Sequence, residues 1–127
     1  MEPLRGRAFW AVSAVVLFAY ALVGAATLTV GQLTGLASPI WPAAGIALAA
    51  TYVWGWRVVP AVLLGSILAN GSTLARQDVL TWSALAVTVV IGLGAAIQAG
   101  VGARLVATAV GANSTLTKSR DIVLFLI

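Results

Sequence analysis

The polar side chains inside the apolar runs of this sequence are few: Ser13, Tyr20, Thr27, Thr51, Ser66, Thr88 and Gln98. None of these types ionises near neutral pH, so they offer hydrogen bonds and no acid–base chemistry. They are expected to satisfy themselves against backbone or a neighbouring helix, with Tyr20 needing a partner in the bundle and Gln98 making a helix–helix hydrogen bond or holding a ligand. Every Arg, Lys, Asp and Glu falls near the edge of an apolar run. Proton pumps and ion-coupled carriers place charges inside the membrane, so the pattern argues against that class. There is no cysteine and no histidine, and Met1 is the only methionine. Disulfides, thiolate metal sites and a histidine phosphoacceptor are thereby excluded from this segment, and the common ligands of haem and zinc are missing. No nucleophile, acid–base pair or metal cluster is visible. The reading is non-enzymatic, with no cofactor.

A different feature attracts a functional reading. Residues 38–45 read SPIWPAAG and interrupt the apolar pattern. Ser38 and Trp41 each precede a proline, which drives them out of the helical region. Pro42 is then a natural first residue of a helix. The first amides of that helix, from Ala43, Ala44 and Gly45, would face outward at the positive end of its dipole and could receive an anion or a carbonyl oxygen. Non-helical chain at this depth is tolerated only against protein or a wet cavity. The stretch therefore reads as an outward-facing recess, with a tight turn and a proline start as the plainer alternative.

The surrounding elements follow from composition. Of 127 residues, 61% are hydrophobic and 8% charged, and the mean hydropathy is +1.07. Such a chain cannot coat a water-facing surface and belongs in a bilayer. The net charge of +4 is sparse, which argues against nucleic acid as a partner. Spans are expected over residues 8–30, 42–56, 58–72 and 79–103. A cytoplasmic amphipathic helix or loop is expected over 104–120, and the start of a further span over 121–127. The first run is too long for a signal-peptide core and reads as a retained anchor. The fold class is thus all-α: a polytopic transmembrane bundle of about four full spans plus the start of a fifth, resembling the front of a longer domain. Residues 42–56 make a short helix. Only Trp56 and Arg57 separate it from the next, so the two are expected to form a tight hairpin.

Lys and Arg counting orients the chain. With the N-terminus cytoplasmic, Arg5, Arg7, Arg57, Arg104, Lys118 and Arg120 lie inside, and only Arg76 lies outside, beside Asp78. Tryptophans 10, 41, 54, 56 and 82 fall at span ends, where interfacial aromatics belong. Small residues recur at four-residue spacing: Gly45 with Ala49, Ala43 with Ala47, Gly92 with Ala96 and Gly100, and Ala95 with Ala99 and Ala103. This spacing predicts seams where helix backbones approach closely.

Three elements in series carry a resemblance. They are Trp41-Pro42-Ala43-Ala44-Gly45-Ile46-Ala47, then Gly55-Trp56-Arg57-Val58-Val59-Pro60, then Leu63-Leu64-Gly65-Ser66-Ile67-Leu68-Ala69-Asn70. In order and spacing they resemble the first-described class of bacterial membrane-associated sensor (MASE) domains. Gly94-Ala95-Ala96-Ile97-Gln98-Ala99 is similar to a further element of that family, with Ala95 where asparagine is usual. Arg120-Asp121-Ile122-Val123-Leu124-Phe125 is similar to the start of its next helix. The resemblance covers about the first half of a family domain, which usually has about eight spans.

It implies a sensory input module in the bacterial inner membrane, with lipid as its solvent. Its partners would be a cytoplasmic output domain, either a histidine kinase or a cyclic-di-GMP enzyme, and a small ligand or neighbouring membrane protein as stimulus. Within that reading Trp41, Pro42, Gly45, Asn70 and Gln98 are the sensing candidates, with Asn70 expected to cap or bridge at the outer end of the third span. Arg57 and Pro60 are expected to fix the inner turn and its depth. Gly65, Gly92, Ala96 and Gly100 are expected to set the packing. A small-solute transporter subunit or substrate-binding membrane component is the alternative.

Overall fold

The computed structural model describes residues 6–34 and 41–110. The expected segment past residue 110, the start of a further span at 121–127, Ser38, Arg5, Lys118 and Arg120 lie outside the described residues. Those described are all-helical: α1 (Arg7–Thr34), α2 (Pro42–Trp54), a 3-10 turn (Trp56–Val58), α3 (Val59–Arg76) and α4 (Trp82–Val110), with no strand among them. Helices α1, α3 and α4 are each long and apolar enough to cross a membrane. Helix α2 has 13 residues, about 20 Å at 1.5 Å per residue, against a hydrocarbon core of about 30 Å.

Local chemistry sets the ends. Trp41 stands just before α2 with extended backbone (φ −109°, ψ 87°), as a residue preceding proline must. Gly55 ends α2 at φ 76°, ψ −169°, a region open in practice only to glycine. Helix α4 starts at Trp82 rather than at 79, because Thr81 caps it. The Ala84 N–H donates to Thr81 Oγ1 at 3.2 Å, a side-chain cap on the first turn. At its other end α4 runs on to Val110. Arg104 is therefore a residue of the long helix and not the start of a separate amphipathic one. Its apolar neighbours Leu105 and Val106 continue the pattern without a breaker.

The four helices form a ring in the order α1, α2, α4, α3. Helices α2 and α3, though joined only by Gly55 and the 3-10 turn, scarcely touch each other. The expected tight hairpin is corrected here: the link is short, but it crosses the end of the bundle diagonally. Contacts fix the directions. An added Cβ at Gly65 would meet Leu17 and Tyr20, and one at Gly24 would meet Ala69, so α1 and α3 run parallel. One at Gly92 would meet Leu63 and Ile67, and one at Gly100 would meet Trp56, so α4 runs antiparallel to α3. Helices α2 and α4 are the second parallel pair. Arg7, Arg57 and Arg104 thus share one end of the ring, and Arg76 lies at the other.

The core is built largely of small side chains: Ala43, Ala47, Ala50, Ala61 and Ala99 pack with Val16, Val58, Val62 and Tyr20. Lipid-facing helices gain little from hydrophobic burial, so close backbone approach must hold them. Thr27 Oγ1 donates to Val23 O at 2.8 Å and Thr88 Oγ1 to Leu85 O at 2.8 Å, which meets the expectation of a partner in the bundle. Ser13 Oγ and Thr51 Oγ1 depart from it: both are buried without a partner among the described residues.

Candidate functional site

A partly open recess of about 500 Å³ lies inside the ring, mainly between α2 and α4. Trp41, Ala44, Gly45, Ala47 and Leu48 form the α2 wall, and Ile91, Gly94, Ala95, Gln98, Ala99 and Gly102 the α4 wall. Tyr20 of α1 and Ser66 of α3 close the back. No charged residue is among them. Pockets of this size suit small organic molecules.

The break ahead of α2 builds one end of the recess. Trp41 Nε1 donates to Tyr20 Oη at 3.3 Å, so Tyr20 has the partner its mid-helix position requires. The indole consequently reaches inward, to the middle of α1, instead of resting at the membrane edge as read from the sequence. An added Cβ at Gly24, one turn from Tyr20, would lie 3.7 Å from the indole. The Ala44 N–H donates to Trp41 O at 2.9 Å, so this amide is spent within the first turn and does not face outward free. Pro42 is exposed at the first turn of α2.

Of the sensing candidates, Trp41, Gly45 and Gln98 line the recess together. Gly45 corrects the seam reading, since a Cβ built there meets nothing within 4 Å. It faces the recess, and Ala49 is exposed. Gly94, on the opposite wall, is equally open. Gln98 is exposed and has no hydrogen-bond partner among the described residues. Asn70 stands behind the recess. Its Nδ2 donates to Ser66 O at 2.9 Å and to Ser66 Oγ at 3.5 Å. It is not the end cap expected from the sequence, because α3 continues to Arg76. The polar run Asn70-Gly71-Ser72-Thr73 stays helical, and Ser72 and Thr73 spend their hydroxyls on Ala69 O.

The packing residues divide sharply. A Cβ on Gly65 would lie 2.9 Å from Leu17 O, and one on Gly92 would lie 3.2 Å from Leu63 O. Both glycines therefore close a backbone-to-backbone seam. Ala96 is buried beside Gly92 and Gly100. Gly100 receives the face of Trp56, and the Arg104 guanidinium sits 5.1 Å from the centre of that ring. Arg57 and Pro60 are exposed; among the described residues the turn is fastened to α4 through Trp56.

Sequence reading did not assign Ser66, Gly94, Trp56 or Gly24 these positions. Gly24 had a signal, because Val16, Tyr20 and Gly24 recur every four residues and all three are buried. Trp56 had none beyond its place at a span end.

The MASE1 family model matches residues 10–127. No curated protein and no solved structure matches the chain. With nearly its whole length inside that match, and with three helices fit to cross a bilayer, this chain belongs to the MASE1 family of membrane-associated sensor domains.

Proposed function

We propose that this chain is the sensory input module of a bacterial signalling protein, and that the recess between α2 and α4 is where its stimulus acts. The supporting observation is the convergence of Trp41, Gly45 and Gln98, from two helices, on one cavity of about 500 Å³. A stimulus acts by binding one arrangement of the helices better than another. The recess lies between the two helices whose separation such a stimulus would change. The signal passes to a cytoplasmic output domain, a histidine kinase or a cyclic-di-GMP enzyme.

In this reading the domain sits in the inner membrane with its N-terminus cytoplasmic and four crossings within residues 7–110, the short α2 included. Grouping of Arg7, Arg57 and Arg104 at one end of the ring, opposite Arg76, supports the orientation, because positive charge collects on the cytoplasmic side. The sequence has no cysteine, so single cysteines at the exposed positions 78 and 57 give a clean topology test. A membrane-impermeant maleimide applied outside should label position 78 and spare position 57. Labelling of both from one side overturns the topology.

The functional test is Gly45→Leu in the full-length gene. The first carbon added there meets no neighbour within 4 Å, on a residue that lines the recess. Output, read as phosphorylation or cyclic-di-GMP level, should change roughly five-fold or more, the lower range of allosteric coupling. Unchanged output from a normally inserted protein overturns the assignment of the recess.

A further inference from the structure

Two hydroxyls at the back of the recess identify what it takes. Tyr20 is 2% exposed and Ser66 1%, and both line the cavity. Chemistry fixes the direction of the one hydrogen bond each hydroxyl makes. An indole N–H only donates, so Tyr20 Oη is the acceptor from Trp41 Nε1. The Asn70 amide is oriented by its 2.9 Å bond to the Ser66 carbonyl, which only its NH₂ can donate. That NH₂ also faces Ser66 Oγ at 3.5 Å, so Ser66 is an acceptor too. Each hydroxyl therefore keeps its own proton, and no described residue receives either. Thr27 and Thr88, by contrast, give theirs to carbonyls of their own helices. A buried donor left unspent is costly, and here two belong to residues that line one cavity.

The rest of the wall narrows the class. Alanines, glycines, Leu48 and Ile91 are apolar, and Gln98 is the remaining polar side chain apart from the Trp41 indole. No cation faces an anion and no carboxylate faces an amine. A plain hydrocarbon would leave both protons unspent. We infer that the recess binds an uncharged, largely apolar carbonyl compound, such as a ketone, quinone or lactone. Its oxygen accepts from the Tyr20 hydroxyl, with Ser66 as second donor, and its body lies between Gly45 and Gly94. The inference deepens the reading of the recess as the input site and rests on it.

The test uses 2-acetylnaphthalene and 2-isopropylnaphthalene, which share a shape and differ in the carbonyl. Binding to the full chain in nanodiscs is measured by equilibrium dialysis, with empty nanodiscs subtracted. The ketone should bind saturably and the hydrocarbon roughly ten-fold more weakly. Tyr20→Phe and Ser66→Ala should each weaken the ketone by roughly three- to ten-fold, the effect of one hydrogen bond, and leave the hydrocarbon unchanged. Equal affinity for the two probes, or a ketone indifferent to both substitutions, overturns the inference. An ester carbonyl of a lipid has the same chemistry. Weaker ketone binding in diester than in diether nanodiscs assigns the native carbonyl to lipid, and equal binding assigns it to a diffusible compound. The two readings fail separately. If Gly45→Leu alters output while ketone and hydrocarbon bind alike, the carbonyl assignment falls and the sensory site stands. If the ketone binds as expected while Gly45→Leu leaves output unchanged, the sensory reading falls.

Discussion

Glycine does opposite work in the two parallel pairs of this bundle. Between α1 and α3, Gly24 and Gly65 let backbones meet, and there is no room for even one more carbon. Between α2 and α4, Gly45 and Gly94 face open space around a cavity, and only further along does a glycine, Gly102, lie close to the partner helix, at Leu48. The difference shows that small residues at helical spacing encode a distance of approach only where a neighbour fills the gap. Elsewhere the same residues encode a volume. A glycine inside a helix costs about 1 kcal/mol relative to alanine. On the α1–α3 side packing offsets that cost. At Gly45 and Gly94 no packing does, and the cost is consistent with a requirement for space.

The contrast can be broken by adding carbon atoms. The largest effect is expected from Gly65→Leu, whose first added atom would already lie 2.9 Å from the Leu17 carbonyl and 3.1 Å from Tyr20 Cβ. A backbone oxygen cannot step aside, so destabilisation of about 3 kcal/mol or more is expected, at the upper end for overpacking. Unfolding in mixed micelles measures it. Gly45→Leu in the same assay should stay within about 1 kcal/mol of the parent, as an exposed substitution does. Equal losses at the two positions would erase the distinction between the pairs.

Gly24→Ala is a finer probe. The new methyl group would lie 3.0 Å from Ala69 Cβ, and a loss of about 1–2 kcal/mol is expected from parting the helices. Ala69→Gly in the same chain should recover at least half of it, since the obstacle is a single side-chain carbon. Failure of that rescue would mean that the α1–α3 seam is held by something other than the fit of these two residues.

A smaller effect belongs to the tie between the α2–α3 turn and α4. Arg104→Ala should cost about 0.5–1 kcal/mol, the usual value of an exposed cation–π pair. In a double-mutant cycle the loss should vanish when Trp56 is already leucine. An effect of similar size has the opposite sign. Gly45→Ala and Gly94→Ala should each stabilise the bundle by about 0.5–1 kcal/mol, because neither methyl group meets a neighbour.

Much of this arrangement could be read from residue types, and the missing part has a definite cause. The apolar runs, the non-helical Trp41 and the start of α2 at Pro42 follow from local rules that involve only adjacent residues. The seam at Gly92, Ala96 and Gly100 follows from spacing along one helix. What spacing cannot supply is the identity of the element opposite. Gly45 and Gly92 look alike in sequence, yet one faces a cavity and the other the Leu63 carbonyl. Tyr20 evidently needed a partner, but that partner lies 21 residues away across a segment whose path no local rule fixes. The short link around Trp56 and Arg57 suggested adjacent helices. Diagonal placement follows only once α1 and α4 have taken the intervening corners. Asn70 looked terminal because the apolar run ends there, but the helix continues for six further residues, with the Ser72 and Thr73 hydroxyls satisfied on Ala69 O.

The backbone at Gly55 has a mechanical consequence. On the α3 side, the one covalent route out of α2 passes through a residue at φ 76°, ψ −169°, and the next residue is the tryptophan seated on α4. A side chain at position 55 would be strained in that conformation. Relieving the strain would shift Trp56, which lies against Gly100 and under the Arg104 guanidinium. The shape of one glycine thus sets where the inner turn meets α4.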